Sequence, residues 1–234
     1  MKILIIIPAF NEEENLGDLI KKIKKYDNEN NLDILVINDQ STDETSLVCK
    51  REGVNVIDLP CNLGIGGAVQ TGYKFAAMHN YDIAIQVDGD GQHNPEYIEK
   101  LIEPIIQGHS TMVIGSRYIE HLGFQSSSVR RMGIWYLKYL INTLTGLKIT
   151  DPTSGYRACN KEIIQLFSSN YPKDYPEPES IMYIKRKGLT VLEIPVIMNE
   201  RIGGESSINL HRSIYYMIKV SLAILFDKIR KESF

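Results

Sequence analysis

Residues 83–95, IAIQVDGDGQHNP, end an apolar run abruptly in two aspartates, two glycines and a glutamine. Asp88, Asp90 and Gln92 stand at i, i+2 and i+4. In extended chain their side chains project to one side, successive ones about 6.6–7 Å apart. That is too wide for two carboxylates to grip one ion directly. Gly89 and Gly91 let the backbone bend and draw the side chains together. Oxygen-only donors favour Mg²⁺ or Mn²⁺ over softer metals, and such sites complete their shell with substrate phosphates and water. A lone Asp-x-Asp is also an ordinary turn. Its place at the end of an apolar run, beside other acidic turns, favours the ion.

Those other turns come from the elements around it. KILIII is a short aliphatic strand, and in EEENLGDLIKKIKKY the residues Leu16, Leu19, Ile20 and Ile23 share one helical face. LDILVIN is a second strand, followed by a helix with Ser41 or Asp43 as its N-cap and Gly53 as its stop. VNVIDL, YDIAIQV and STMVIGS continue the strands, with helices in IGGAVQTGYKFAAMHN and PEYIEKLIEPIIQG between them. Alternating helices and continuously apolar strands predict an α/β fold with a mostly parallel sheet and helices on both faces. Ligands of such sheets bind at the carboxyl ends of the strands. Residues 8–12, 38–43 and 88–92 all follow strand ends and are expected to share one edge.

The second half is less regular. VRRMGIWYLKYLINTLTG reads as an amphipathic helix, SGYRACN as a strand, KEIIQLFSS and PEPESIMYIKRKG as helices, LTVLEIPVIMNE as strand-like, and SINLHRSIYYMIKVSLAILFDKIRK as a long closing helix. No internal repeat or linker divides the 234 residues, which are expected to form one domain.

Net charge is −3, which argues against a nucleic-acid partner. Charge is uneven, however. Residues 117–148 carry Arg117, Arg130, Arg131, Lys138 and Lys148 against Glu120 alone. Residues 201–234 carry six Lys/Arg against three acids, among many aliphatic residues. These segments read as solvated helix faces or as contacts with an anionic partner or membrane surface. The three cysteines, Cys49, Cys61 and Cys159, show no metal or disulfide spacing, as suits a reducing compartment. The N-terminal apolar run reads as a buried strand and not a signal peptide. No uncharged apolar run approaches the roughly 20 residues of a membrane span.

IPAFNEEENL, INDQSTDET, NLGIGGAVQTG, VDGDGQHNP and GSRY, in this order, resemble the family 2 glycosyltransferases, within them the dolichol-phosphate mannose synthase and polyprenyl-phosphate sugar transferase branch. The likeness covers roughly residues 1–157. It implies a GT-A type, Rossmann-like fold, a nucleotide-diphosphate sugar donor (UDP- or GDP-sugar), Mg²⁺ or Mn²⁺, and inversion at the anomeric carbon. It assigns residues 1–117 to the donor and 118–234 to the acceptor. By the same resemblance, Pro8, Ala9, Phe10 and Glu12 line the base and ribose, with Phe10 where the branch often has Tyr. Asp39 bonds base or ribose. Asp88 and Asp90, with Gly89 between them and Gln92 beyond, hold the metal on the diphosphate. Arg117 and Arg130 or Arg131 meet phosphates of the acceptor. Arg201 resembles the basic loop that closes over the donor. Structural alternatives stand beside these roles: Pro8 ends a strand, Glu12 complements a helix dipole, and Arg117 is a surface charge. NLGIGGAVQTG is not a dinucleotide fingerprint, because Val69 stands where its third glycine belongs and the segment follows the third strand.

A lipid phosphate attacks as an anion and needs cations to place it, whereas a sugar hydroxyl needs a general base. Residues 117–131 suit the phosphate. Glu177 and Glu179 are candidate bases or helix-dipole acids, with Glu179 taken as the base candidate. The expected acceptor is therefore a polyprenyl (dolichyl or undecaprenyl) phosphate. It would be reached at the cytoplasmic membrane face through surface helices such as residues 213–226 or through a separate membrane subunit.

Overall fold

The computed structural model describes residues 1–27, 32–125, 127–200 and 210–229. Strands β1 (Ile3–Ala9), β2 (Leu32–Asn38) and β3 (Asn55–Asp58) alternate with helices α1 (Glu13–Tyr26), α2 (Thr45–Arg51) and α3 (Gly64–Met78). Then follow β4 (Ile83–Gln86), a 3₁₀ turn (Pro95–Tyr97), α4 (Ile98–Ile106) and β5 (Met112–Ser116). The remaining elements are α5 (Ser128–Thr145), β6 (Arg157–Asn160), α6 (Lys161–Ser169), α7 (Pro176–Arg186), β7 (Val191–Pro195) and α8 (Leu210–Ile229).

All seven residues of β1 are buried because helices cover both faces of the sheet. Leu4 and Ile6 point into a core shared with α3, α6 and α7, and Ile3, Ile5 and Ile7 into one shared with α1 and α4. Leu16, Leu19, Ile20 and Ile23 of α1 are buried, as their spacing predicts. Each such side chain contributes about 1.5–3 kcal/mol by leaving water. Helix α2 ends before Gly53, whose φ of 65° is the left-handed geometry a helix stop requires. The N-cap is neither Ser41 nor Asp43 but Glu44, which makes no side-chain cap bond; Asp43, one residue earlier, accepts from the Thr45 amide at 3.0 Å. Helix α3 lies so close to β1 that a Cβ on Gly72 would fall 2.3 Å from Ile6 Cγ2, so the helix must present bare backbone there.

The seven strands run in the order β3-β2-β1-β4-β6-β5-β7. All pair in parallel except β6, which is antiparallel to β4 and β5 on either side. Hydrophobic periodicity located β6 but says nothing of its direction. The reversal matters because the first residue of β6, Arg157, pairs with Gln86 at the end of β4 and with Ile114 of β5. Residues 151–157 are thereby delivered to the same sheet edge as the carboxyl ends of the parallel strands. Helix α5 packs with α7 and α8. It starts at the cap Ser127, which accepts from Arg130 N, and ends at Gly146 with φ 71°.

Candidate active site

The parallel strands β1, β2 and β4 bring residues 8–12, 38–43 and 88–92 to one edge, as the alternation predicts. Asp39 N donates to Ala9 O at 2.9 Å. Asn11 N donates to Ser41 Oγ at 2.9 Å, Thr42 N to Asn11 Oδ1 at 2.8 Å, and Glu12 N to Thr45 Oγ1 at 3.0 Å. The loops after β1 and β2 are thus one hydrogen-bonded unit. The acidic turn packs against it through Gly89, where a Cβ would lie 3.1 Å from Pro8 O and 3.4 Å from Glu12 Cγ. Gly91, at φ 74°, turns the chain. The two glycines therefore act differently: one permits close approach, the other a left-handed bend.

Asp88, Asp90 and Gln92 are half-buried. Asp88 Oδ1 accepts from Gln86 Nε2 at 3.0 Å, and its carboxylate lies over Gly155, where a Cβ would be 2.9 Å from Oδ2. Asp90 Oδ1 accepts from Gln92 N at 3.0 Å. Gln92 Nε2 donates to Asn199 O at 3.4 Å, so the amide oxygen is the end that could meet a cation. Among the described residues no three His, Cys, Asp or Glu side chains converge as a closed metal cage. Two carboxylates and an amide oxygen on a bent turn instead fit an open site for a hard cation. Mg²⁺ in particular is bound through one or two carboxylates plus substrate phosphate.

Pro8 and Ala9 are buried within β1, so Pro8 does not end the strand. Phe10 is 49% exposed at its mouth. Glu12 is buried, and its Oε2 accepts from Asn15 Nδ2 at 2.8 Å. Asp39 has a structural task that its sequence position did not reveal. Its two oxygens accept from the amides of Leu63 at 2.7 Å and Gly64 at 2.9 Å, where α3 begins. An anion there is favoured by the helix dipole, and a nucleotide contact would use the remaining lone pairs of this carboxylate.

The reading of Arg117 as a surface charge needs correction. Its side chain is buried, with Nε 2.7 Å from Asp151 Oδ2 and Nη2 2.9 Å from Asp151 Oδ1. Nη2 also donates to Thr153 Oγ1 at 3.1 Å. Burial disfavours the cation, but the Asp151 carboxylate outweighs it and holds the arginine charged. Asp151 N in turn donates to Glu193 Oε1 at 2.8 Å, and Thr150 N to Glu193 Oε2 at 2.6 Å. Arg117 therefore locks the 150–154 loop to β5 and β7, and its guanidinium is directed to protein.

Arg130 and Arg131 are exposed in the first turn of α5, where the helix dipole disfavours cations. Arg131 Nη2 donates to Ser128 Oγ at 3.2 Å. Arg201 lies outside the described residues. Glu177 and Glu179 both fall in the first turn of α7. Burial pushes the Glu177 carboxyl above the usual range, Arg157 opposes that, and Asp88 and Arg130 also act on it. Glu177 thus lies within electrostatic reach of Asp88 in the acidic turn.

Two residues escaped the sequence reading. Arg157 is fully buried, donating through Nε to Ser154 O at 2.7 Å, through Nη1 to Ser180 Oγ at 2.6 Å and through Nη2 to Pro152 O at 3.3 Å. It ties β6 to α7. The signal was a cation inside the apolar strand YRAC, which must find partners or not be buried. His93, directly after the acidic turn, is the second, and its contacts are described below.

Residues 4–167 match the profile of Glycosyl transferase family 2. The UDP-N-acetylglucosamine–dolichyl-phosphate N-acetylglucosaminyltransferase of Methanococcus voltae is 30% identical over 83% of this chain and 84% of its own length. The undecaprenyl-phosphate mannosyltransferase of Micrococcus luteus is 29% identical over 89% of this chain and 88% of its own. The crystal structure of glucosyl-3-phosphoglycerate synthase from Mycobacterium tuberculosis with Mn²⁺, uridine diphosphate and phosphoglyceric acid superposes with a TM-score of 0.74. That match covers 99% of this chain and 80% of the other at 20% identity, and establishes a shared GT-A fold.

Proposed function

Because this chain belongs to glycosyl transferase family 2, we propose that it transfers a sugar, with inversion, from a UDP- or GDP-sugar to a polyprenyl phosphate. Mg²⁺ or Mn²⁺ held by Asp88, Asp90 and Gln92 would neutralise charge on the departing nucleoside diphosphate. The observation that carries this reading is the position of the acidic turn. Through Gly89 it packs against residues 8–12, where β1, β2 and β4 end. A donor's base and ribose would lie along Pro8, Ala9, Phe10 and Glu12, beside Asp39. Its diphosphate would reach Asp88 and Asp90. The M. tuberculosis structure that shares this fold contains Mn²⁺ and uridine diphosphate, which supports a metal-bound nucleotide donor.

The acceptor assignment draws on the names of the two polyprenyl-phosphate relatives and on Arg130 and Arg131. These arginines stand exposed at a helix start, where the dipole disfavours cations and a bound anion would offset that cost. A phosphate nucleophile is already ionised, so these cations would place it and no base is needed.

Among the described residues no helix is long and apolar enough to cross a membrane. Yet α5 exposes Met132, Trp135, Tyr136 and Tyr139 on one face, and α8 beside it exposes Ile218, Leu222, Leu225 and Phe226. Tyr136 Oη and Ser221 Oγ, 3.1 Å apart, join the two helices. This doubled apolar face, near Arg130 and Arg131, suits peripheral contact with a bilayer or a membrane subunit at its cytoplasmic side.

A second reading, transfer to a sugar hydroxyl, is favoured by Glu177 alone, whose raised pKa suits a general base. The test is to incubate the protein, Mn²⁺ and membranes with a panel of labelled nucleotide sugars. Label should enter the lipid fraction with one donor and vanish in Asp90→Ala. Absence of lipid label with every donor refutes the lipid acceptor. Transfer to sugar that is lost in Glu177→Gln or Glu179→Gln but kept in Arg130→Ala and Arg131→Ala establishes the hydroxyl reading.

A further inference from the structure

His93 is buried directly behind the acidic turn. Asp88 N donates to its Nδ1 at 3.0 Å, so Nδ1 carries the lone pair and the ring proton is on Nε2. Nε2 stands 3.6 Å from Asp88 Oδ2. That distance is longer than a hydrogen bond, so the direct contact is the one from the Asp88 amide to Nδ1. The ring stacks on Tyr156, with centroids 4.7 Å apart and planes 9° from parallel. Tyr156 is itself fixed: its hydroxyl donates to Asn94 O at 2.9 Å, and its carbonyl accepts from Gly115 N at 2.8 Å. Tyr156 neighbours Gly155, which floors the Asp88 carboxylate. One imidazole thus joins the backbone of the turn to the loop beneath its side chain.

We propose that His93 is a positioning residue: by accepting the Asp88 amide proton while wedged on Tyr156, it holds the Asp88 carboxylate in the orientation needed to bind the cation of the donor diphosphate. The inference rests on the reading of Asp88 and Asp90 as metal ligands. The general basis is that groups behind metal ligands fix their orientation, and losing one typically costs about 10–100-fold in metal affinity or activity.

Two substitutions separate the hydrogen bond from the packing. His93→Phe keeps an aromatic ring on Tyr156 and removes the acceptor. His93→Asn removes the ring, but its Oδ1 branches from Cγ as Nδ1 does and can take the Asp88 amide proton. Full-length wild type and both variants are titrated with Mn²⁺ in the presence of UDP or of GDP, following the electron-spin-resonance signal of free Mn²⁺. Thermal melting without metal is recorded in parallel. The expected result is Mn²⁺ affinity about 10–100-fold weaker in His93→Phe. His93→Asn should bind Mn²⁺ more tightly than His93→Phe whichever of the two melts lower. Equal Mn²⁺ affinity in wild type and His93→Phe overturns the proposal, as does His93→Asn binding no better than His93→Phe. Failure of wild type to bind Mn²⁺ with either nucleotide overturns the metal reading itself, and the positioning role with it.

Discussion

Gly155→Ala tests whether the orientation of Asp88 controls turnover. The added methyl would stand 2.9 Å from Asp88 Oδ2, 2.9 Å from Gln86 Nε2 and 3.1 Å from Asp88 Oδ1. Ordinary contact requires about 3.5 Å, so the overlap is about half an ångström. Both carboxylate oxygens meet the methyl, so rotating the carboxylate exchanges one clash for the other. The side chain must shift bodily, and its hydrogen bond to Gln86 goes with it. A displacement near 1 Å can cost about 100-fold in rate, so kcat/KM should fall about 10–100-fold, or about 1.4–2.7 kcal/mol. The fold should tolerate the change better. Gly155 has no left-handed φ, the clash is with the ends of side chains, and the alanine also restricts the unfolded chain. Stability should change by less than about 2 kcal/mol. Steady-state transfer kinetics with varied Mn²⁺, beside urea unfolding, measure both quantities. Wild-type kcat/KM and Mn²⁺ dependence in a folded Gly155→Ala protein would refute the claim that this carboxylate's position is critical.

Asp151→Asn should destabilise the protein by about 3–5 kcal/mol in urea unfolding, because the Arg117 cation stays buried without its anion; a loss below about 1 kcal/mol would contradict the pairing. Glu177 has a raised folded pKa, so the stability of its protonated form is complete below the usual carboxylate range and is lost as pH rises through the folded value. Glu177→Gln mimics that protonated form and should match wild type in melting temperature near pH 4 but exceed it at pH 8. Equal melting temperatures at both pH values would count against the burial cost. Trp135→Glu and Phe226→Glu replace exposed apolar groups on α5 and α8, and should reduce co-sedimentation with phosphatidylglycerol-containing vesicles several-fold without lowering the melting temperature. Unchanged sedimentation would remove this face from membrane contact.

Local chemistry in the chain settles much of this molecule. The aliphatic run in β1, the 3.6-residue spacing in α1 and the glycine that ends α2 are short-range signals, and each produced its element. The alternation of these elements predicted that residues 8–12, 38–43 and 88–92 meet at one edge, since parallel strands all end on the same side. Partners were another matter. Arg117 and Asp151 are 34 positions apart, and only the antiparallel insertion of β6 between β4 and β5 delivers the 151–157 loop to that edge. Asp39 could not be read as the acceptor for the start of α3, nor His93 as the prop of Asp88 resting on Tyr156. Nor could the surroundings of Glu177 be read, because helical position alone does not reveal that this acid shares low-dielectric space with Arg157 and Asp88. Residue type and spacing act over a few bonds and so determined the elements and the kind of chemistry. Strand direction and the pairing of buried charges depend on which distant segments share an interior, and that is decided only when the chain packs.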